Sequence, residues 1–428
     1  MEQLKCGFAQ EKITPEYAGI YLDGYGFRLT PATGVRDDLF VKACAFESAG
    51  ERFLLLQFDL IGLSEEVYRL VLPQIEALTG LGRGRVALSS IHTHAGPACG
   101  VLKELPMNYD YLGWVGEQAG RAGMRAFSRL EPGAFDFRIS EHKLTHSHNR
   151  RGREPVDRRI FTAPFVTASG KVSGALCSAS CHAVINTTYE VSADYLSVLN
   201  SSSDDDCPLM FLQGRAADIN PHAVENLACD DFIGQLGREL AQPVLDAIAS
   251  AVPQSGGTGE LKLFYDYAAI PMKLYPPESE LRASIKGMEE RYFSLPYGQP
   301  EKHYLFRELR WHRAMLERSL CGVPSEVSVP MQLFTAGRDF AFAFVPFELL
   351  TLTGGKLEAM FVSRGFSPER VYILGYCNSV NGYLAPVEEF EFGGYEVSGA
   401  AHWYLLPECS EASEPAVLKW FDEKIKSL

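Results

Sequence analysis

The chain has 428 residues, 46% of them hydrophobic, and a formal net charge of −14. That is enough apolar material for one large domain or for two or three closely packed ones, and no segment has the composition of a disordered tail. The acidic balance, without any basic run, argues against nucleic acid as a partner and against charge-driven docking on anionic membranes.

The first residues show no basic region followed by an apolar core, so no secretory signal is read there. No apolar stretch reaches the roughly 18 residues that a transmembrane helix needs. Ten cysteines are scattered without a tight framework. A chain of this size folds without disulfides, so free thiols in a reducing cytoplasm are expected.

In chain order, residues 7–15 alternate and stop at Pro15, as a short strand does. Residues 20–38 are rich in Gly, Tyr and Asp and read as a loop. Residues 39–47 and 52–60 look like paired strands. Ser64 opens a helix with Glu65 and Glu66 in its first turn, ending near Leu78. A strand at 85–91 follows. This strand, helix, strand order predicts an α/β fold: a mixed β-sheet core with flanking helices, its site at strand exits.

Residues 109–130 have helical spacing, and 134–139, 159–167 and 173–181 look like strands. A polar loop at 201–206 precedes a buried strand at 208–213 and a long helix at 229–251. Residues 276–320 are charged, poor in β-branched residues and broken at Pro296 and Pro300. They read as two amphipathic helices, an excursion within a single domain spanning 1–428. Strands return at 328–346. A helix at 348–364, a strand at 371–376, a Gly/Tyr-rich loop at 378–398 and a helix at 414–427 complete the chain.

Residues 86–97 read Val-Ala-Leu-Ser-Ser-Ile-His-Thr-His-Ala-Gly-Pro. In an extended chain, residues two apart share a face, so His92 and His94 leave a buried strand side by side. Two imidazoles so placed begin a metal site. His182 ends another apolar strand, Ala175-Leu-Cys-Ser-Ala-Ser-Cys-His182, an exit where active-site residues sit, although taken alone it reads as a capping or core histidine. In Gly214-Arg-Ala-Ala-Asp-Ile-Asn-Pro-His222, small residues let the backbone approach a ligand, with Asp218 and Asn220 pointing into that space. A turn with a helix cap explains the same letters.

Glu348 follows Phe344-Val-Pro-Phe at a further strand exit, or else favours a helix dipole from the first turn. Gly375-Tyr-Cys-Asn-Ser-Val-Asn-Gly-Tyr383, leading to Phe392-Gly-Gly-Tyr395-Glu396, can present phenols to a pocket or form a surface turn. His142, His146 and His148 repeat the His-x-His spacing beside Asn149, Arg150 and Arg151, but without an apolar strand to hold them. They read as substrate-binding or simply solvated. Cys177 and Cys181 lack zinc-knuckle spacing and read as buried thiols.

Taken in order, these strings resemble the catalytic domain of the neutral/alkaline non-lysosomal ceramidases. The match runs from Gly7-x-Ala9-x-x-x-Ile13-Thr14-Pro15 through Asp59, His92-Thr-His94-x-Gly-Pro97, Asn149-Arg150 and His182 with Asn186-Thr187. It continues through Gly214 to Pro221, Pro346-x-Glu348, Asn378-x-x-x-x-Tyr383 and Gly394-Tyr395-Glu396. The resemblance is to a short form without the family's C-terminal immunoglobulin-like domain. It implies one zinc ion held by His92, His182, Glu348 and Tyr383. It also implies His94 as a proton-handling group and Arg150 and Tyr395 at the substrate, where Asp218 is expected from the reading of its own segment.

The family's serine, in a Gly-Asp-Val-Ser-Pro-Asn hexapeptide, falls at Asn220 here. A metal-activated water does not need that serine, and an asparagine can donate to a carbonyl or hold a water. The expected function is zinc-dependent hydrolysis of an N-acyl amide, with a lipid among the candidate substrates. The alternatives are an ester or phosphoester hydrolase, drawing on Asp59, Asp218 and the histidines, and a zinc protein that binds ligand without turning it over.

Overall fold

Every second residue of the strand Phe340–Phe344 is a phenylalanine, and alanines fill the positions between. The period of two sends the rings to one face and the alanines to the other. Phe340, Phe342 and Phe344 join Phe334 and Tyr372 in a layer shared with Phe8, Phe46, Phe53, Phe135 and Phe165. Those five come from a second sheet, so two sheets stack face to face through aromatic rings. Phe53 lies over Phe334 at 4.2 Å between centroids, and Phe46 meets Phe334 edge-on at 5.0 Å.

The computed structural model describes all residues except 1, 2, 17, 154, 223–228 and 255–259. The larger sheet has nine strands among the described residues. Its order is Leu209–Gln213, Val172–Ala179, Arg159–Thr167, Glu131–Phe135, Lys5–Lys12, Phe40–Ser48, Glu51–Phe58 and Val86–Ser90, with Arg138–Lys143 also paired to Arg159–Thr167. The smaller sheet orders Leu261–Pro271, Glu326–Ala336, Phe340–Phe344 and Val371–Leu374. Helices α1 (Glu65–Thr79), α2 (Tyr109–Ser128), α3 (Ser197–Ser201) and α4 (Cys229–Ala249) belong to the larger sheet's half. Val41, Ala43, Leu54, Leu56 and Phe58 meet α1, α2 and α4 on the sheet's outer face. Helices α5 (Glu278–Ser294) and α6 (Pro300–Leu320) form a hairpin to one side. Helices α7 (Thr351–Val362) and α9 (Ser413–Lys426) cover the smaller sheet through Leu357, Phe361, Val417 and Phe421. The one-turn α8 spans Ala401–Tyr404.

The architecture is thus helices, sheet, sheet, helices, which is the mixed α/β class expected. Among the described residues, no helix is long and apolar enough to cross a membrane. All ten cysteines are free.

Three differences from the sequence reading matter for the site. The strand Leu261–Pro271, an edge of the smaller sheet, was not anticipated. Its central side chains are partly exposed, so it lacks the buried run that marks an inner strand. Helix α7 begins at Thr351 rather than 348. Glu348 instead pairs in parallel with Tyr383, in a two-residue ribbon of Glu348–Leu349 with Tyr383–Leu384. The 378–398 loop also leads into a π-helical turn, Tyr395–Gly399, that runs on toward α8.

Parallel pairing explains where the site sits. Glu51–Phe58 with Val86–Ser90, Val172–Ala179 with Leu209–Gln213, and Phe340–Phe344 with Val371–Leu374 are the parallel pairs of the two sheets. Ligands in α/β proteins bind beyond the carboxyl ends of such strands. His92, His182, Glu348 and Tyr383 all follow those ends.

Candidate metal centre

His92 and His182 are each 1% exposed, and each has its Nδ1 committed to the backbone. Nδ1 of His92 lies 2.6 Å from the Ile61 carbonyl, and Nδ1 of His182 lies 2.6 Å from the Ala216 carbonyl. A carbonyl only accepts, so each Nδ1 carries the proton and each Nε2 offers a lone pair. Metal-binding histidines are fixed in this way.

Both Nε2 atoms face Oε2 of Glu348, at 3.4 Å from each. Glu348 is 3% exposed. Its Oε2 and the His182 Nε2 are buried and have no hydrogen-bond partner. Buried polar atoms are normally paired, because leaving one unpaired costs about 1–3 kcal/mol. Two such atoms facing each other at 3.4 Å are the donor pattern of a cation site, and imidazole with carboxylate suits zinc.

The coordinating nitrogens of His92, His94 and His182 lie within 4.8 Å of one another, a group able to hold a metal ion. Nε2 of His94 is 3.2 Å from Nε2 of His92. His94 therefore approaches the donors more closely than a remote proton carrier would. Its ring also lines the cavity, whereas His92 does not.

Burial pushes the His182 imidazole down to about 4 and holds His94 well below its ordinary value, so both are neutral at pH 7.

Backbone strain marks the same place. His92 has φ +63°, and Tyr376, whose ring lies 4.1 Å from the His92 ring, has φ +56°. Residues other than glycine enter this region at a cost, and they cluster at functional sites.

Tyr383 is buried beside Glu348 in the two-residue ribbon. Its hydroxyl accepts from Nη2 of Arg150 at 3.1 Å. Nε of Arg150 donates to Glu396 at 2.8 Å, and Arg151 also pairs with Glu396. The Arg150 guanidinium sits 5.5 Å from the ring centroids of both Tyr383 and Tyr395. These two tyrosines meet edge-on at 5.6 Å. Tyr395 is 44% exposed, at the rim.

Arg150, Asn220, His94 and His182 line a cavity of about 550 Å³, together with Tyr25, Val184, Ile185 and Phe232. Oδ1 of Asn220 is buried and unpartnered.

Asp218 was expected at the substrate. The structure turns it inward instead. It accepts from the Thr351 N–H at 2.9 Å, the Thr351 hydroxyl at 2.8 Å and the Asn149 side chain at 2.7 Å. It accepts from the first N–H of helix α7, 133 residues away, and is 4% exposed, a contact that neither the substrate reading nor the local turn-and-cap reading anticipated. Asp59 is likewise spent on the fold, accepting from the Phe40 N–H, Gln57 and Asn200.

The second His-x-His string stays apart from this group. His146 pairs with Glu239 at 3.2 Å, and His148 packs against His222 at 5.1 Å between centroids.

Sequence reasoning missed four supports. Arg28, 0% exposed, donates to the His94 and Asn186 carbonyls. Tyr25 meets the His94 ring edge-on at 5.1 Å. Gly24 has φ +104°, and a Cβ there would lie 2.4 Å from Cγ of His94, so only glycine fits. Tyr404 donates its hydroxyl to Oε1 of Glu348. The Gly-Tyr-Gly string at 24–26 was the one available signal, and it was read as a plain loop.

Comparison with known proteins accords with the family resemblance read from the sequence. Residues 4–151 match the family model for neutral/alkaline non-lysosomal ceramidase, N-terminal. The neutral ceramidase from Pseudomonas aeruginosa superposes over 100% of this chain and 75% of its own, with a TM-score of 0.76 and 18% identity. A ceramidase complexed with C2 superposes over 99% of this chain and 75% of its own, with a TM-score of 0.73 and 18% identity. At that identity the two structures establish the fold. No curated protein sequence matches the chain.

Proposed function

We propose that this chain is a zinc-dependent hydrolase that cleaves an N-acyl amide bond. One observation carries the reading: two buried imidazoles, locked by their Nδ1 atoms to carbonyls, aim Nε2 at an unpartnered buried carboxylate oxygen. His92, His182 and Glu348 would hold the ion, with Tyr383 as a fourth donor. When bound by these residues, a zinc ion would supply a Lewis acid for an amide carbonyl and would lower the ionisation of water to about pH 7.

The protein's own groups do the rest. Arg150, held rigid by Glu396, directs its guanidinium into the cavity and orients the amide oxygen or stabilises charge developing on it. His94 is neutral and lines the cavity, so it can take a proton at a ring nitrogen and return it to the departing amine. Asn220 offers an amide to the same space. Tyr395 closes the rim. Val184, Ile185 and Phe232 form an apolar wall that suits an acyl chain, which keeps lipids among the substrates. The free thiols fit a reducing, cytoplasmic compartment.

Metal analysis of protein purified under metal-replete conditions tests the reading. One equivalent of zinc is expected, and less than about half overturns it. A panel of N-acyl amides, esters and phosphoesters, with His92→Ala as control, then fixes the bond. Turnover of an amide that His92→Ala abolishes is the expected result. Ligand binding without turnover of any class would instead favour a binding protein, with Asn220 as the telling departure.

A further inference from the structure

The helical hairpin α5–α6 has so far no part in the site, yet α6 touches almost every residue of one short segment. Trp311 donates from its indole to the Leu406 carbonyl at 2.8 Å. The same indole stacks on the His402 ring at 3.9 Å and 20°. Nδ1 of His402 lies 2.8 Å from Oε2 of Glu308. The Arg307 guanidinium covers the Trp403 ring at 4.3 Å. Leu405 packs against the cluster of Leu281, Trp311 and Met315. Residues 402, 403, 405 and 406 are thus each held by α6 or its cluster.

The residue between them points the other way. Tyr404 is 6% exposed, and its hydroxyl donates to Oε1 of Glu348. With Oε1 occupied, Oε2 is the atom left facing His92 and His182. The two oxygens are equivalent, so what this hydrogen bond fixes is the rotation of the carboxylate plane about its last bond, with one oxygen on Tyr404 and the other turned to the imidazoles. Helix α8 is one turn of four residues and has no stability of its own.

We infer that Tyr404 is a positioning residue for Glu348, and that the helical hairpin is the bracket that holds Tyr404 in place. The inference rests on the metal-site reading above.

The test uses the full chain, stripped of metal and titrated with Zn²⁺ against a competing chelator, and separately loaded with Co²⁺ for its visible spectrum. Tyr404→Phe is expected to weaken Zn²⁺ binding about 10–100-fold, as loss of a partner behind a ligand does, and to shift the Co²⁺ bands. Trp311→Leu, remote from Glu348, is expected to move both readouts in the same direction. Should that variant fail to fold, Arg307→Gln removes the cover on Trp403 together with the ion pair to Glu308, the partner of His402, and carries the same expectation. Unchanged Zn²⁺ affinity and Co²⁺ spectrum in Tyr404→Phe would overturn the positioning role while leaving the proposed function intact. A change in Tyr404→Phe but none in the α6 variants would overturn the bracket. Failure of the unaltered protein to bind Zn²⁺ would overturn the proposed function, and this inference with it.

Discussion

The molecule carries the string His-x-His at residues 92–94 and again at 146–148, and the two ended differently. The spacing is identical. The difference lies in what each ring does with its second nitrogen. His92 gives Nδ1 to a backbone carbonyl at 2.6 Å and presents Nε2 to a buried carboxylate. His146 gives Nδ1 to the Glu239 carboxylate and Nε2 to the Gln235 amide, which leaves no nitrogen free. His148 is partly exposed, on a three-residue strand. Spacing alone does not place the rings, since His92 lies past the strand end in left-handed backbone; a rigid anchor for Nδ1 and an unpartnered buried carboxylate oxygen turn a pair into a cation site.

Substitutions can break or sharpen this contrast. The largest effect is expected from His92→Ala, which should abolish Zn²⁺ retention and hydrolysis together, with the fold retained by circular dichroism. Retained zinc would shift the site onto His94 and His182. The next is a pH effect. His182 sits at about 4 in the folded protein against about 6.5 unfolded, so between those values the unfolded state binds more protons. Stability contributed by this group is therefore lost as pH falls from about 6.5 towards 4. Compared with His182→Gln in metal-free urea melts, the unaltered protein should lose on the order of 2 kcal/mol of relative stability across that window. A pH-independent difference would show that His182 is not buried neutral.

A smaller effect separates scaffold from site. Thr351→Val removes one of the donors to Asp218 and should cost about 1–2 kcal/mol in urea melts, with KM unchanged. A large rise in KM with unchanged stability would return Asp218 to the substrate. The smallest effect is expected at the second string. His148→Ala should leave zinc content unaltered and stability within about 0.5 kcal/mol. Loss of zinc there would erase the contrast between the two strings.

How much of this was legible in the sequence depends on range. Strands such as Arg159–Thr167 were readable because alternation and β-branching are local. So were the exits at His92 and His182, where an apolar run stops at a histidine. Glu348 was found but given two environments, since only Tyr383, 35 residues on, makes its backbone a ribbon rather than a helix turn. Asp218 was found and misplaced, because its acceptors are satisfied by Thr351 and Asn149, far along the chain in both directions. Tyr404 left no local signal, as its one telling contact reaches back 56 residues. The edge strand Leu261–Pro271 was missed because half-exposed side chains dilute the pattern.

The left-handed backbone at His92 carries a consequence for how this site could be lost. A β-carbon at φ +63° is held against its preference, and glycine adopts the same angle freely. Drift to glycine at this position would relax the backbone while removing the ring that holds the Ile61 carbonyl, so the relief is set against a cavity and an unpaired acceptor. A relative with glycine there would have exchanged an anchored imidazole for a relaxed backbone, and would have to refill the space that the ring occupies beside Tyr376.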